Sequence, residues 1–507
     1  MLFFLLFSIV GVEARVSSMD PVAFSNSRIL KNYWGEMSSR NGYKWKEEWY
    51  PEMPIDHFAF ANNYTFPLRY FINTESYESG GPILFYTGNE GKLEGFAENT
   101  GFMWDIAPEF KAAVVFAEHR FYGKTQPYGN DSYTSTKNLG YLSSEQALAD
   151  FVVLIDYLKK ERLTGATNSP VIAFGGSYGG MLAAWIRVKY PHKVDGAIAA
   201  SAPVFWFGDS GVQENIYDKI VTRAFVGSGC NFDAVKKGWD AIDELCKTDD
   251  GRSFLNNLFH FSSKSRIESS KDAVWLKGYI RETIESVAMV NYPVPTNFLA
   301  PLPGWPVKKI CRHFQQVAPN DKEAAEQMFE IVNLYYNSTG DKKSFCANPA
   351  SCDGAFAELG DPLGWPWQTC TEMVMPICGG GPPSDFFWKD CPFTYDGAAE
   401  NCAQWFGKLG YDKKLFRPHW AIQNYGATFP TATNIVFSNG FLDPWSGGGW
   451  ALKPKVEGSL VSIILLDGAH HYDLRGAHPQ DTAEVKKVRE QEKGYIAKWI
   501  KEARKRT

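Results

Sequence analysis

The chain has 507 residues, 44% of them hydrophobic, 15% aromatic and 21% charged, with a formal net charge of −5. That composition excludes a disordered polymer, and the lack of any long basic block excludes the electrostatic footprint of a nucleic-acid-binding protein. The length suffices for a large core in two or three domains, or for one domain carrying a big insertion.

Residues 1–14 begin with the apolar run MLFFLLFSIVGV, too short to span a bilayer, and end in Val12-Glu13-Ala14, with small or aliphatic residues where a signal peptidase reads. They are expected to be a signal peptide, and residues 15–44 an N-terminal segment or propeptide. No other stretch approaches 18 continuous apolar residues, so a soluble product of the secretory pathway is expected, with no membrane partner.

Between residues 81 and 204, short apolar runs alternate with amphipathic stretches, the pattern of a parallel sheet buried under helices. GPILFYTGNEG (81–91) and AAVVFAEHRFYG (112–123) each read as a strand followed by a loop. SSEQALADFVVLIDYLKK (143–160) reads as a helix capped by Ser143 or Ser144, with Leu148, Phe151, Val152, Ile155 and Leu158 at helical spacing. VIAFGGSYGGMLAAW (171–185) then runs from strand to helix, and VDGAIAASAPV (194–204) gives another buried strand. The fold class predicted from this βαβαβ rhythm is α/β.

From 206 to 405 the rhythm gives way to helix-like segments broken by Pro, Gly and Cys, so this span is predicted to be an insertion. All nine cysteines lie between Cys230 and Cys402. None forms a Cys-x-x-Cys pair, so disulfides in an oxidising compartment are expected rather than a metal site, and the odd number leaves one thiol free or shared between chains. Asn63, Asn130 and Asn337 head glycosylation sequons. The sheet pattern returns in 406–507 with TNIVFSNGFLDPW (433–445) and SLVSIILLDGAHH (459–471), followed by a charged helix from about 481 to 503.

Gly175-x-Ser177-x-Gly179 has the form of a nucleophile elbow, in which neighbours without Cβ atoms let strand and helix approach around a strained serine. A plain strand-to-helix loop would carry the same letters. A serine nucleophile needs a histidine to take its proton and a carboxylate to orient the ring, in the order Ser, Asp or Glu, His. Asp443 follows the run NIVF by six residues and His470 follows VSIILL by four, each where a loop leaves a strand. Asp467 competes with Asp443, and His471 and His478 compete with His470. Side chains alternate along an extended segment, so only one of the adjacent histidines is expected to face the site. Helix N-terminal amides, including the N–H of Tyr178, are placed to meet an oxyanion, with a second donor expected from the Gly88–Gly91 loop at Asn89.

FGGSYGGMLAAW, ASAPV, TEMVMPIC, FSNGFLDPWSGGG and GAHHYDLR together resemble the signature segments of the S28 serine peptidases, the lysosomal Pro-Xaa carboxypeptidase and dipeptidyl peptidase II family, over roughly Trp45 to Ile500. The resemblance implies an α/β-hydrolase core in two parts, 45–205 and 406–507, separated by a helical cap (SKS-like) domain over 206–405. It places the catalytic triad on Ser177, Asp443 and His470, and the proline pocket on Met181, Met375 and Trp445. It implies a lysosomal or secreted serine exopeptidase acting on peptides after proline through an acyl-enzyme, with no metal or other cofactor, and leaves a homodimer open. TEMVMPIC favours release of a C-terminal residue from Pro-Xaa, against N-terminal Xaa-Pro dipeptide release; a binding protein on a dead hydrolase fold is the non-enzymatic alternative. Phe441 stands where the family pattern has a glutamate, and the cysteine pattern departs at Cys246, Cys352 and Cys391, with none near Phe261.

Overall fold

The computed structural model describes residues 42–506, apart from 209, 350, 353, 361 and 450–458. The signal peptide and most of the expected N-terminal segment lie outside the described residues. Eight strands form a single sheet: β1 (Lys46–Pro54), β2 (Thr65–Asn73), β3 (Ile83–Thr87), β4 (Ala113–Ala117), β5 (Val171–Gly176), β6 (Gly196–Ala200), β7 (Ile435–Gly440) and β8 (Leu460–Leu465). Their order across the sheet is β1-β2-β4-β3-β5-β6-β7-β8. β1 and β2 pair antiparallel, β2 runs antiparallel to β4, and every pair from β4 to β8 is parallel. With helices crossing between the parallel strands, this is the α/β-hydrolase architecture.

The parallel strands form where the sequence is continuously apolar, because both faces of such a sheet are covered. β3, β4, β5, β6 and β7 are buried at every residue. β1 is different: KEEWYPEMP is mostly exposed at the sheet edge, where charged residues and prolines discourage a further strand from adding. The helix Ser144–Tyr157 begins at Ser143, whose side chain accepts from the Gln146 N–H, as its spacing predicts. The helix Ala483–Arg504 closes the chain on the sheet, with Trp499 lying where a Cβ on Gly196 of β6 would be 2.1 Å from its ring.

Among the described residues no strand of the sheet falls between Ala200 and Ile435; those residues form helices and loops. The longest of these helices are Phe232–Cys246, Ala273–Met289 and Asp321–Tyr336. Four disulfides tie this span together: Cys230–Cys311, Cys346–Cys352, Cys370–Cys402 and Cys378–Cys391. Cys246 is the free, buried thiol. Cys352 and Cys391, which depart from the family pattern, are therefore both bonded. Among the described residues no helix is long and apolar enough to cross a membrane.

Candidate active site

The elbow is built by β5 and the helix Tyr178–Lys189, which meet at Ser177 with φ 59° and ψ −128°. A side-chain-bearing residue at positive φ is strained by about 1–3 kcal/mol and persists only where its surroundings hold it. Here the Ser177 N–H donates to the Ala200 carbonyl of β6, and the Ser177 carbonyl accepts from Met181 N–H. Glycine is obligatory on both sides. A Cβ on Gly175 would sit 2.0 Å from the Gly179 carbonyl oxygen, and one on Gly179 2.2 Å from Asn89 Oδ1. Gly176 backs onto the His471 ring, 2.8 Å from where its Cβ would lie.

Asp443 and His470 stand at the ends of β7 and β8. His470 Nδ1 and Asp443 Oδ2 are 2.9 Å apart. Asp443 Oδ1 accepts from the Trp445 N–H at 3.0 Å, so the carboxylate is buried with both oxygens partnered. With Nδ1 turned to the carboxylate, Nε2 of His470 is the nitrogen left for a serine hydroxyl. The His470 main chain is anchored from the inserted span: its N–H donates to the Met289 carbonyl, and its carbonyl accepts from the Tyr292 hydroxyl at 2.8 Å.

The expectation that only one of the adjacent histidines faces the site is corrected. Both residues border the same cavity as Ser177, with ring centroids 4.5 Å apart. The reason is a left-handed φ of 38° at His471, which breaks the alternation of an extended chain. Burial, then the neighbouring His470 and Arg475, hold His471 well below the usual histidine range, so it is a neutral ring. Asp467 and His478 play no part in the Asp443–His470 pair; the His478 N–H instead binds Asp481.

Tyr178 follows Ser177 and opens its helix, so its N–H lacks a partner from that helix. Its buried side chain sits in a hydrogen-bond network that the sequence did not reveal. His119 Nδ1 must donate to the Arg120 carbonyl, which leaves Nε2 to accept from the Tyr178 hydroxyl at 3.0 Å. Gln368 Nε2 donates to the same hydroxyl at 2.8 Å and to Glu372, while Gln368 Oε1 accepts from Tyr122. Burial lowers His119 to about 4, consistent with this neutral tautomer. The Asn89 side chain is fully engaged: Nδ2 donates to the Gly176 carbonyl and to the Glu90 carboxyl group, and Oδ1 accepts from the Tyr86 hydroxyl. Any donor that Asn89 offers an oxyanion is therefore its main-chain N–H.

These groups open on a cavity of about 480 Å³ between the sheet's C-terminal edge and the inserted span. Met181, Met375 and Trp445 all line it, together with Tyr217, Met289 and Trp365. Trp445 is fixed by its indole N–H to Met289 Sδ at 3.2 Å and by edge contacts with Trp206 and Tyr217. Phe441 does not border this cavity; it is 40% exposed, with the Arg223 guanidinium over its ring. Of the sequons, Asn63 and Asn130 are exposed, whereas the Asn337 amide bonds Asn333 and the Lys342 N–H. Sequence reasoning missed Glu90, Met289, Tyr292 and Gln368. Glu90 alone left a signal, as the acid inside the GNEG turn.

An α/β-hydrolase sheet with a strained serine at its central elbow, sharing one cavity with a carboxylate-paired histidine, defines a serine hydrolase. More narrowly, the chain belongs to the serine carboxypeptidase S28 family, whose model matches residues 53–492. It is 63% identical over 484 residues to "Prolyl carboxy peptidase like protein 5" of Caenorhabditis elegans, covering 95% of this chain and 94% of that protein. It is 44% identical over 454 residues to the "Lysosomal Pro-X carboxypeptidase" of Bos taurus, covering 89% and 87% of the two chains. The protein of the same name from Homo sapiens is 43% identical over 457 residues, covering 89% and 88%.

Proposed function

We propose that this chain is a proline-specific serine carboxypeptidase of the secretory pathway, destined for the lysosome or for secretion, that releases the residue following a penultimate proline. Ser177 Oγ attacks the prolyl carbonyl while His470 Nε2 takes its proton. Asp443 holds the ring's orientation and stabilises the imidazolium. The oxyanion is met by the N–H groups of Tyr178 and Asn89, donors fixed before the charge appears. His470 then returns the proton to the leaving amine, the C–N bond breaks, and water hydrolyses the prolyl ester by the same steps in reverse order.

The observation that carries this reading is the 2.9 Å His470–Asp443 pair opening on the cavity that also holds Ser177. The apolar wall of Met181, Met375 and Trp445 suits a pyrrolidine ring, which is rigid and brings no N–H to satisfy. The four disulfides and the lysosomal relatives support an oxidising route through the secretory pathway. The test measures kcat/KM on one short peptide with penultimate proline in free, C-amidated and N-acetylated forms. Strong loss on amidation with tolerance of acetylation is expected; loss on acetylation alone would make the chain a dipeptidyl peptidase.

A further inference from the structure

We propose that Glu90 receives the terminal carboxylate of the departing residue by donating a hydrogen bond from its protonated carboxyl group. This rests on the carboxypeptidase reading above and identifies the group that would select the C-terminal end. The departing residue must lie on the His470 side of the cavity, because His470 delivers the proton to its amine. Glu90 shares the cavity with that histidine. It follows Asn89 in the turn after β3, borders the same cavity as Ser177 and His470, and interacts electrostatically with His470. Its Oε2 is buried and reaches no hydrogen-bond partner, a cost that a bound ligand would relieve.

The cations around the cavity strengthen the assignment. Among the described residues lining it, Arg281 is the single arginine or lysine, and it is already paired with Asp218, Glu285 and Asp390. Lys92, two residues beyond Glu90, lies outside the lining. His471 is buried and held neutral. A substrate carboxylate entering beside His470 thus meets no unpaired guanidinium or ammonium there. An ionised Glu90 would repel it, whereas a protonated one supplies an O–H···O⁻ bond, among the stronger kinds.

The surroundings of Glu90 favour the protonated form. Burial raises its carboxyl above the ordinary range, opposed by its own main-chain amide, the Asn89 side chain and His470. The titratable groups facing it are Tyr86 on β3, Tyr178 at the elbow, and His470 in the loop after β8. The tyrosines are neutral, both pushed above the usual phenol range by burial. None of the three holds Glu90 ionised as a paired guanidinium would. Binding of a free-acid peptide should therefore weaken as pH rises through the Glu90 titration, while an amidated peptide is spared that effect.

The test uses full-length protein and an N-acetylated tripeptide ending in Pro-Phe, as free acid and as amide, assayed from about pH 4 to pH 8. Glu90→Ala should lower kcat/KM for the free acid at least ~10-fold more than for the amide. Glu90→Gln, whose amide donates but cannot ionise, should retain selectivity for the free acid and remove the alkaline rise in KM expected of the wild type. Fluorophosphonate labelling counts folded, active sites in each preparation, and the Gln variant carries the test if the Ala variant does not fold. Equal losses on acid and amide, or an unchanged alkaline limb in Glu90→Gln, would overturn this proposal alone. A wild type that is labelled yet releases phenylalanine from neither peptide would overturn the carboxypeptidase reading and this assignment with it.

Discussion

Asp443 divides its carboxylate between two tasks: one oxygen fixes the following turn through Trp445 N–H, the other holds His470 Nδ1. Asp443→Asn keeps the turn-capping oxygen but presents either an amide N–H or a weaker acceptor to the ring, favouring the tautomer that cannot take the serine proton. The expected result is a fall in kcat of roughly 10⁴-fold with little change in melting temperature. Ser177→Ala removes the hydroxyl proposed as the nucleophile while keeping the Cβ that the strained turn already tolerates. Turnover should disappear and fluorophosphonate labelling with it, while circular dichroism and thermal unfolding stay close to wild type. Retention of most of the wild-type rate would reject Ser177 as the nucleophile.

The elements that position these residues differ in how readily they are read from sequence. Parallel strands buried on both faces leave continuous apolar runs, so β3 to β7 can be found from periodicity, while the half-exposed edge strand β8 is marked by its apolar run LVSIIL. The edge pair β1 and β2 is obscure because KEEWYPEMP carries charge and proline at exposed positions. Chain order sufficed to shortlist Asp443 and His470, since both lie just beyond strands of the restored sheet. The split between His470 and His471 was not legible, because a single left-handed residue undoes the alternation on which it depended. Nor could local patterning reveal that the helix Ala273–Met289 and the segment after it anchor the His470 main chain, a contact across more than 170 positions. Tyr292→Phe removes only the hydroxyl that the His470 carbonyl accepts. Loss of one such bond is worth about 1 kcal/mol, so kcat should fall several-fold with KM for the same peptide little changed. If kcat and KM both stay at wild-type values, the inserted span does not position the catalytic histidine through this contact.

Across the whole molecule, burial has left a set of carboxyl groups that hold their protons more tightly when folded. Glu98, Glu118 and Glu372 are each raised to about 7, and Asp473 and Glu492 are raised as well, burial being the leading cause in every case. Glu492, in the helix Ala483–Arg504, is fully buried and faces Asp473, which adds to burial in raising its carboxyl well above the ordinary range. A carboxyl whose folded pKa lies above its unfolded value binds the extra proton only in the native state. Its stabilising contribution is complete below the unfolded value near 4.5 and is lost as pH climbs through the folded value, here about 7 for Glu98, Glu118 and Glu372. The buried histidines act in the other direction: His119 falls to about 4 and His471 also falls, so the unfolded chain gains protons there first as pH drops below 6.5. The carboxyls outnumber them, and the stability maximum should lie at mildly acidic pH, near 5 to 6 by this balance. Thermal unfolding followed from about pH 5 to pH 8 should show a melting temperature that declines over the upper half of the range. Glu492→Gln keeps the side chain's volume without a proton to lose, so its decline should be shallower and its stability above pH 7 higher than wild type. A melting temperature that rises steadily toward pH 8, or a variant with the wild-type slope, would mean that these buried acids are ionised in the folded protein.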